Sequence, residues 1–259
     1  MVTDATGGVT AQGGPVKGEI TILTEIEAGT RVQLAGPARL VVIYLKSGDE
    51  YTMSGPGLIE FRASEPVAAS GAAPTKRAYS LGNVSAAPRI KPIGVTQGAI
   101  VMRSVRPAAR IKLLNLTSTR ILERSPEFRW QAVEPGVRYQ FELNDESGKA
   151  LFEVQVEGVA LKLPPTVELK EGTRYTWTVS ARLKDNRRYL SSGEFTIAPA
   201  ELRSQAEALR SPSTAPVSER VAYAVWLEQV ELRDEARGYW RTLAAERPQD
   251  ARLKELAAE

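Results

Sequence analysis

A strand-like alternation governs most of the chain up to Ile197, and a helical period governs the chain beyond Pro199. In EITILTEIEAGTRVQL, Ile20, Ile22 and Ile26 share one face. Glu27-Ala28-Gly29 then turns the chain, and Val32 and Leu34 come next at the spacing of a half-buried strand. ARLVVIYL is apolar on both faces, which predicts a central strand. Ser47-Gly48 predicts a short hairpin turn, after which Tyr51 and Met53 resume the alternation. Gly55-Pro56-Gly57 interrupts it. A phosphate-binding loop needs a helix after its glycines, whereas Leu58, Ile59, Glu60 and Phe61 read as strand. Pro56 presets its own φ and Gly57 can take positive φ, so the tripeptide predicts a type II turn, a corner in the sheet.

From Ala63 to Pro107 the chain is rich in Ala, Pro, Gly and Ser. EPVAASGAAP has little to bury and reads as extended linker, with GAIVMRSVR as one short strand inside it. From Ile111 to Ile197 strand segments return: SPEFRW, RYQFEL, LFEVQV, ALKL, RYTWTVSARL and GEFTI, separated by turn clusters. Short strands at regular spacing predict a β-sandwich. Trp130, Tyr139, Phe141, Leu143, Phe152, Val154, Tyr175, Trp177, Val179 and Phe195 supply its inner faces. After Pro199, Leu202, Ala206 and Leu209 mark one helix, and Val221, Ala224 and Val225 a second. Ala236, Tyr239, Trp240 and Leu243 mark a third, which Pro248 ends. The expected organisation is mainly β. A β domain covers 1–63, a basic linker 64–110, a sandwich 111–198 and a short α-helical tail 199–259.

Composition narrows the chemistry. The 259 residues suit two or three small domains. With no Cys and no His, thiol catalysis, disulfides, a Ser-His-Asp triad and histidine metal ligation are excluded. No run of apolar residues is long enough for a transmembrane helix. Met1 leads directly into VTDATGGVTAQGG, which has no secretory leader, so a signal peptide is expected to have been removed. Charge is uneven. From Pro66 to Leu122 there are nine basic residues and no acidic one, which with +3 overall leaves −6 on the rest. Such a segment suits an anionic partner or an internal acidic face, set against the blander reading of a solvated linker. Arg103, Arg106, Arg110 and Lys112 are the candidate contacts.

Three resemblances rest on particular residues. GGVTAQGG, LTEIEAGTRVQL and YLKSGDEYTMSGPGLIEF resemble the FecR-like domain, which implies an extracytoplasmic location and a binding role. Members often relay signals to a membrane-bound regulator. This chain departs from that plan, with neither a transmembrane helix nor an anti-sigma segment. PEFRW and LKEGTRYTWTVSARL, with a Leu-x-x-Gly-x-x-Tyr turn, resemble a fibronectin type III domain, an architecture that hosts many functions. Ala224, Ala236, Trp240 and Pro248 stand twelve, four and eight residues apart, similar to one tetratricopeptide repeat. A lone repeat cannot bury its own apolar faces, so it docks on a neighbouring domain or grips a partner. Tyr223, Trp226 and Tyr239 are the candidate contacts on the helices.

Other apparent sites read as structure. NDESGK lacks the alternating carboxylates and distal Glu of a calcium loop and reads as a hairpin turn, as does KDNRR. Glu60 with Glu65, or Asp49 with Glu50, has no pocket motif around it, and Tyr175 with Trp177 reads as core. The basic segment lacks the interleaved aromatics of nucleic-acid binders, Tyr79 aside. The expectation is a non-enzymatic periplasmic interaction or scaffold subunit of an envelope assembly. It has no cofactor, no bound metal and no nucleic-acid partner, and oligomers are allowed. The alternatives are a glycan- or peptidoglycan-binding module and a FecR-type relay.

Overall fold

The structure, a computed structural model, describes residues 1–14, 16–78 and 109–258. Arg103, Arg106, Tyr79 and the GAIVMRSVR strand lie outside the described residues. The chain is mainly β, with several sheets and four C-terminal helices. It divides into two compact units. Among the described residues the first comprises 1–78, Glu207–Gln229 and 236–258, and the second comprises 109–206 and Val230–Glu235.

The first unit holds nine strands, β1 (Val2–Thr6), β2 (Val9–Gly13), β3 (Gly18–Glu19), β4 (Arg31–Leu34), β5 (Arg39–Ile43), β6 (Asp49–Ser54), β7 (Gly57–Phe61), β8 (Pro66–Ser70) and β9 (Thr75–Ala78). They form two sheets, ordered β1-β5-β6-β9 and β3-β2-β4-β7-β8. Val9, Val32, Leu34, Leu40, Val42 and Ile59 meet in one apolar core. Leu40 to Ile43 are all buried, so β5 is covered on both faces, as its apolar run requires.

Three expectations change here. Ile20 and Ile22 are buried as foreseen, but β3 ends at Glu19. Leu23 sits at φ 66°, and its N–H donates to Val2 O while Thr24 O accepts from Val2 N. A loop therefore satisfies the backbone that a strand was expected to pair. The linker expected from Ala63 instead opens with β8 on β7 and β9 on β6. Edge strands need only one hydrogen-bonded neighbour; β9 keeps its side chains at the surface, while β8 buries Pro66 and sets Ala68 against the core. The Gly-Pro-Gly stretch does turn a corner, passing the chain from β6 in one sheet to β7 in the other. It is not a type II turn, because Gly55-Pro56 is cis and Gly57 is not left-handed. Gly55 is needed for close approach: a Cβ there would lie 1.9 Å from Ala35 O.

Helix α1 (Ala200–Leu209) precedes α2 (Val217–Gln229), α3 (Arg233–Glu246) and α4 (Ala251–Ala258). α2 is apolar nearly all round and buried along most of its length, as a central helix should be. It packs against β1. On α3, Ala236, Trp240 and Leu243 are buried. Polar latches join these helices to the strands of the first unit. Asp4, 2% exposed, accepts from Arg39 at 3.1 Å and from Arg247 at 2.6 Å. Arg77 bridges Glu50 at 3.3 Å and Glu219 at 2.6 Å. Between α2 and α3, Arg220 grips Glu246 with two bonds of 2.6 and 2.7 Å.

The second unit is a sandwich of a five-stranded and a two-stranded sheet. Its strands are β10 (Thr119–Ile121), β11 (Glu127–Arg129), β12 (Tyr139–Asp145), β13 (Ala150–Val156), β14 (Ala160–Lys162), β15 (Arg174–Arg182) and β16 (Arg188–Ile197). The larger sheet runs β10-β16-β15-β12-β13 and the smaller pairs β11 with β14. The alternation read from the sequence holds: Trp130, Phe141, Leu143, Trp177 and Val179 are fully buried. Tyr175 closes its turn by accepting from Lys170 N–H at 2.7 Å through its hydroxyl oxygen. Trp177 Nε1–H donates to Leu116 O at 2.8 Å.

The 230–235 segment is fastened within this unit. Glu231 O accepts from Arg120 N at 2.7 Å, and Asp234 Oδ2 accepts from Leu116 N at 2.7 Å. Glu235 is different. Its Oε2 is buried without a hydrogen-bond partner, and burial, with Asp234 and Glu123 adding to it, pushes the carboxyl up to about 7. The native state thus holds a proton that the unfolded chain releases near 4.5. That contribution is fully present below the unfolded value and is lost as pH rises through about 7. Glu235→Gln should therefore gain on the wild type by about 1–3 kcal/mol between roughly pH 5 and pH 8. Urea midpoints at both ends of that window test this; parallel pH profiles would refute it.

Candidate functional site

Arg110 and Lys112 lie on the short extended segment that closes one side of the sandwich. Ala109 bridges Tyr189 in parallel, and Leu113 bridges Trp130 in antiparallel fashion. Leu190 N–H donates to Ala109 O at 3.1 Å, and Ser191 Oγ–H donates to Ile111 O at 2.6 Å. Ile111 turns inward and is 3% exposed, so the pleat turns Arg110 and Lys112 outward, where both are exposed. This register sets Arg110 beside Leu190 and Lys112 beside Ser192 on the outer face. Among the described residues neither cation has an ion-pair partner. Nearby basic residues do: Arg129 has Glu127, Arg138 has Glu157, and Arg187 has Glu134 and Asp185.

The same face supplies two residues that sequence reasoning missed. Leu190 is 48% exposed although it stands in a strand whose Phe195 and Ile197 are buried. Arg188 is exposed two positions earlier, opposite Arg182. Only the alternation of YLSSGEFTI could have flagged Leu190, since it places that leucine with Ser192 and Glu194 rather than with Phe195.

The helical candidates are placed differently from expectation. Tyr223 and Trp226 are 3% and 2% exposed, and their rings stack with centroids 5.7 Å apart. They are interior residues because α2 is covered all round, so the expectation that they meet a partner is corrected. Tyr239 keeps partial exposure, meets Tyr223 edge-on at 5.0 Å and donates its hydroxyl proton to Ser211 O at 2.7 Å. Burial raises its phenol, with Arg210 and Arg220 opposing that shift.

Asp145, Asp49, Glu50 and Glu60 each have partners within the fold. Asp145 Oδ1 accepts from Ser147 N, Ser147 Oγ and Lys149 N at 2.9, 2.6 and 3.1 Å, which holds its carboxyl low and ties off the hairpin. Asp49 pairs with Lys76, Glu50 with Arg77, and Glu60 with Arg62. Tyr175 and Trp177 are core. The first unit has a cleft of about 400 Å³ lined partly by Ile26, Tyr44 and Phe61. In it, burial and the neighbouring Tyr51 and Glu65 push the Tyr44 phenol up to about 12. Among the described residues no group of carboxylates is arranged to hold a metal ion.

No family model matches the chain, and no curated protein matches it. Solved structures similar to part of it include the following three. CopC from Methylosinus trichosporium OB3b is 20% identical over 35% of this chain and 95% of its own, with a TM-score of 0.28. The fn3 domain of the human collagen alpha-1(XX) chain is 15% identical over 46% of this chain and 97% of its own, at 0.28. The fibronectin type-III domain of human fibronectin type III domain containing protein 3 is 18% identical over 46% and 100%, at 0.24. No described helix is long and apolar enough to cross a membrane.

Proposed function

We propose that this chain is a non-enzymatic interaction or scaffold subunit of a bacterial envelope assembly, acting in the periplasm. The observation that carries the reading is the pair of outward cations, Arg110 and Lys112, which have no ion-pair partner among the described residues and stand on the outer face of the sheet. A charge without an internal counterion contributes little to its own fold and is available to steer and orient an anionic partner. The FecR-like, fibronectin type III-like and tetratricopeptide-like resemblances support a binding role on the same terms.

The full chain, used as bait in envelope extracts and then analysed by native mass spectrometry, is expected to form a stable complex with a partner protein. Arg110→Glu with Lys112→Glu is expected to weaken that complex at least about tenfold and to flatten its salt dependence. A free monomer throughout would sink the reading. The same two cations favour a second reading, binding to an anionic wall polymer. That reading requires salt-sensitive sedimentation with peptidoglycan, lost in the double variant.

A further inference from the structure

The cations on the outer face of the sandwich surround an apolar side chain. Leu190, 48% exposed, has Ser180 across one strand pair and Arg110 across the other. Arg188 precedes it by two residues on the same face, and Lys112 lies diagonal to it. Adjacent strands lie about 4.8 Å apart and same-face neighbours about 7 Å, so all three cations stand within one side-chain length of the leucine. Among the described residues, Arg110, Lys112 and Arg188 have no carboxylate partner, whereas Arg187 at the neighbouring hairpin tip has two. The next outward residue along β16 from Leu190 is Ser192, so the first carboxylate beyond it is Glu194.

We infer that Arg110, Lys112, Arg188 and Leu190 form one docking patch for an acidic protein segment that presents an apolar side chain between its carboxylates. This rests on the interaction reading above and narrows its partner. A wall polymer or another polyanion would engage the cations but would leave the leucine in water. Only a partner with its own apolar group gains from covering it. Carboxylates at strand or helix spacing match the separation of the three cations, while the leucine at the centre gives the contact a dry point. The surrounding Ser180, Thr178 and Ser192 are small, so a ridge can lie flat across them, and Thr178 and Ser192 already bond each other at 3.0 Å.

The test is a fluorescence-anisotropy titration of the full chain with a dye-labelled synthetic peptide of glutamates around one central leucine. A second peptide carries serine in place of that leucine. The leucine peptide is expected to bind saturably and about fivefold more tightly than the serine peptide. Leu190→Ser should erase that difference, since burying half a leucine is worth about that factor. Arg110→Glu, Lys112→Glu and Arg188→Glu together should weaken binding by more than about thirtyfold at low salt. All four positions are exposed, and unchanged circular dichroism confirms the fold. Equal affinity for the two peptides, indifference to Leu190→Ser, or absence of saturable binding each overturns the assignment. So does sedimentation with wall sacculi that the triple reversal abolishes and Leu190→Ser leaves intact. The broader reading fails on a different result, a free monomer in native mass spectrometry of envelope extracts.

Discussion

Replacing Asp4 with alanine is expected to destabilise the first unit by about 2–4 kcal/mol and to open its C-terminal helices to proteolysis. Asp4 is 2% exposed and accepts from Arg247 at 2.6 Å and Arg39 at 3.1 Å. Without the carboxylate, two guanidinium groups face each other with no counterion. Arg39, 48% exposed, can swing into water, but Arg247, 24% exposed, gives up more by doing so. Most of the cost therefore falls on the bond between β1 and the helical tail. Asp4→Asn keeps the shape and should lose roughly half as much. A double-mutant cycle with Arg247→Ala, read by urea midpoints and by mapping of protease cuts, measures the coupling. Strictly additive losses would mean that the pair does not latch the tail.

Gly193→Ala should cost the sandwich about 3 kcal/mol or more. Gly193 stands opposite Trp177 in the β15-β16 ladder. A Cβ there would lie 2.5 Å from Trp177 Nε1 and 2.8 Å from Leu116 O, the two ends of one hydrogen bond. The added methyl must push the indole out of a core in which Phe128, Phe141 and Trp130 pack against it. Near-ultraviolet circular dichroism and tryptophan emission should change with the loss of stability. Trp177→Phe removes the clashing nitrogen, so the alanine should cost at least about 1 kcal/mol less in that background. An equal cost in both backgrounds would exclude this clash as the cause.

The sandwich was legible because its core obeys a local rule. Tyr139, Phe141 and Leu143, or Tyr175, Trp177 and Val179, announce their inner face by alternation alone. What stayed hidden depends on distant pairing. β8 and β9 are held by backbone bonds to β7 and β6, and their Ala, Ser and Thr side chains carry no apolar signal. Tyr223 and Trp226 looked available because a sequence does not reveal that α2 is covered on every side. The outer patch was half legible. The run without acids marked Arg110 and Lys112, but Arg188 and Leu190 join them only through a ladder between residues about eighty apart in the chain.

The first unit is discontinuous: among the described residues its last strand ends at Ala78, and Arg247, which completes the latch on Asp4, comes 169 residues later. A chain made from its N-terminus at roughly 5–20 residues per second exposes these sheets for about ten to thirty seconds before their last helices exist. Asp4, Thr3 and Glu50, buried in the finished fold, are solvated during that interval. The strands of the sandwich run from Thr119 to Ile197, and that unit waits only for its Val230–Glu235 segment, which is made before Arg247. The order of maturation therefore reverses the order of synthesis. The domain made first finishes last, and any partner that reads its completed surface reads a chain already translated past Arg247.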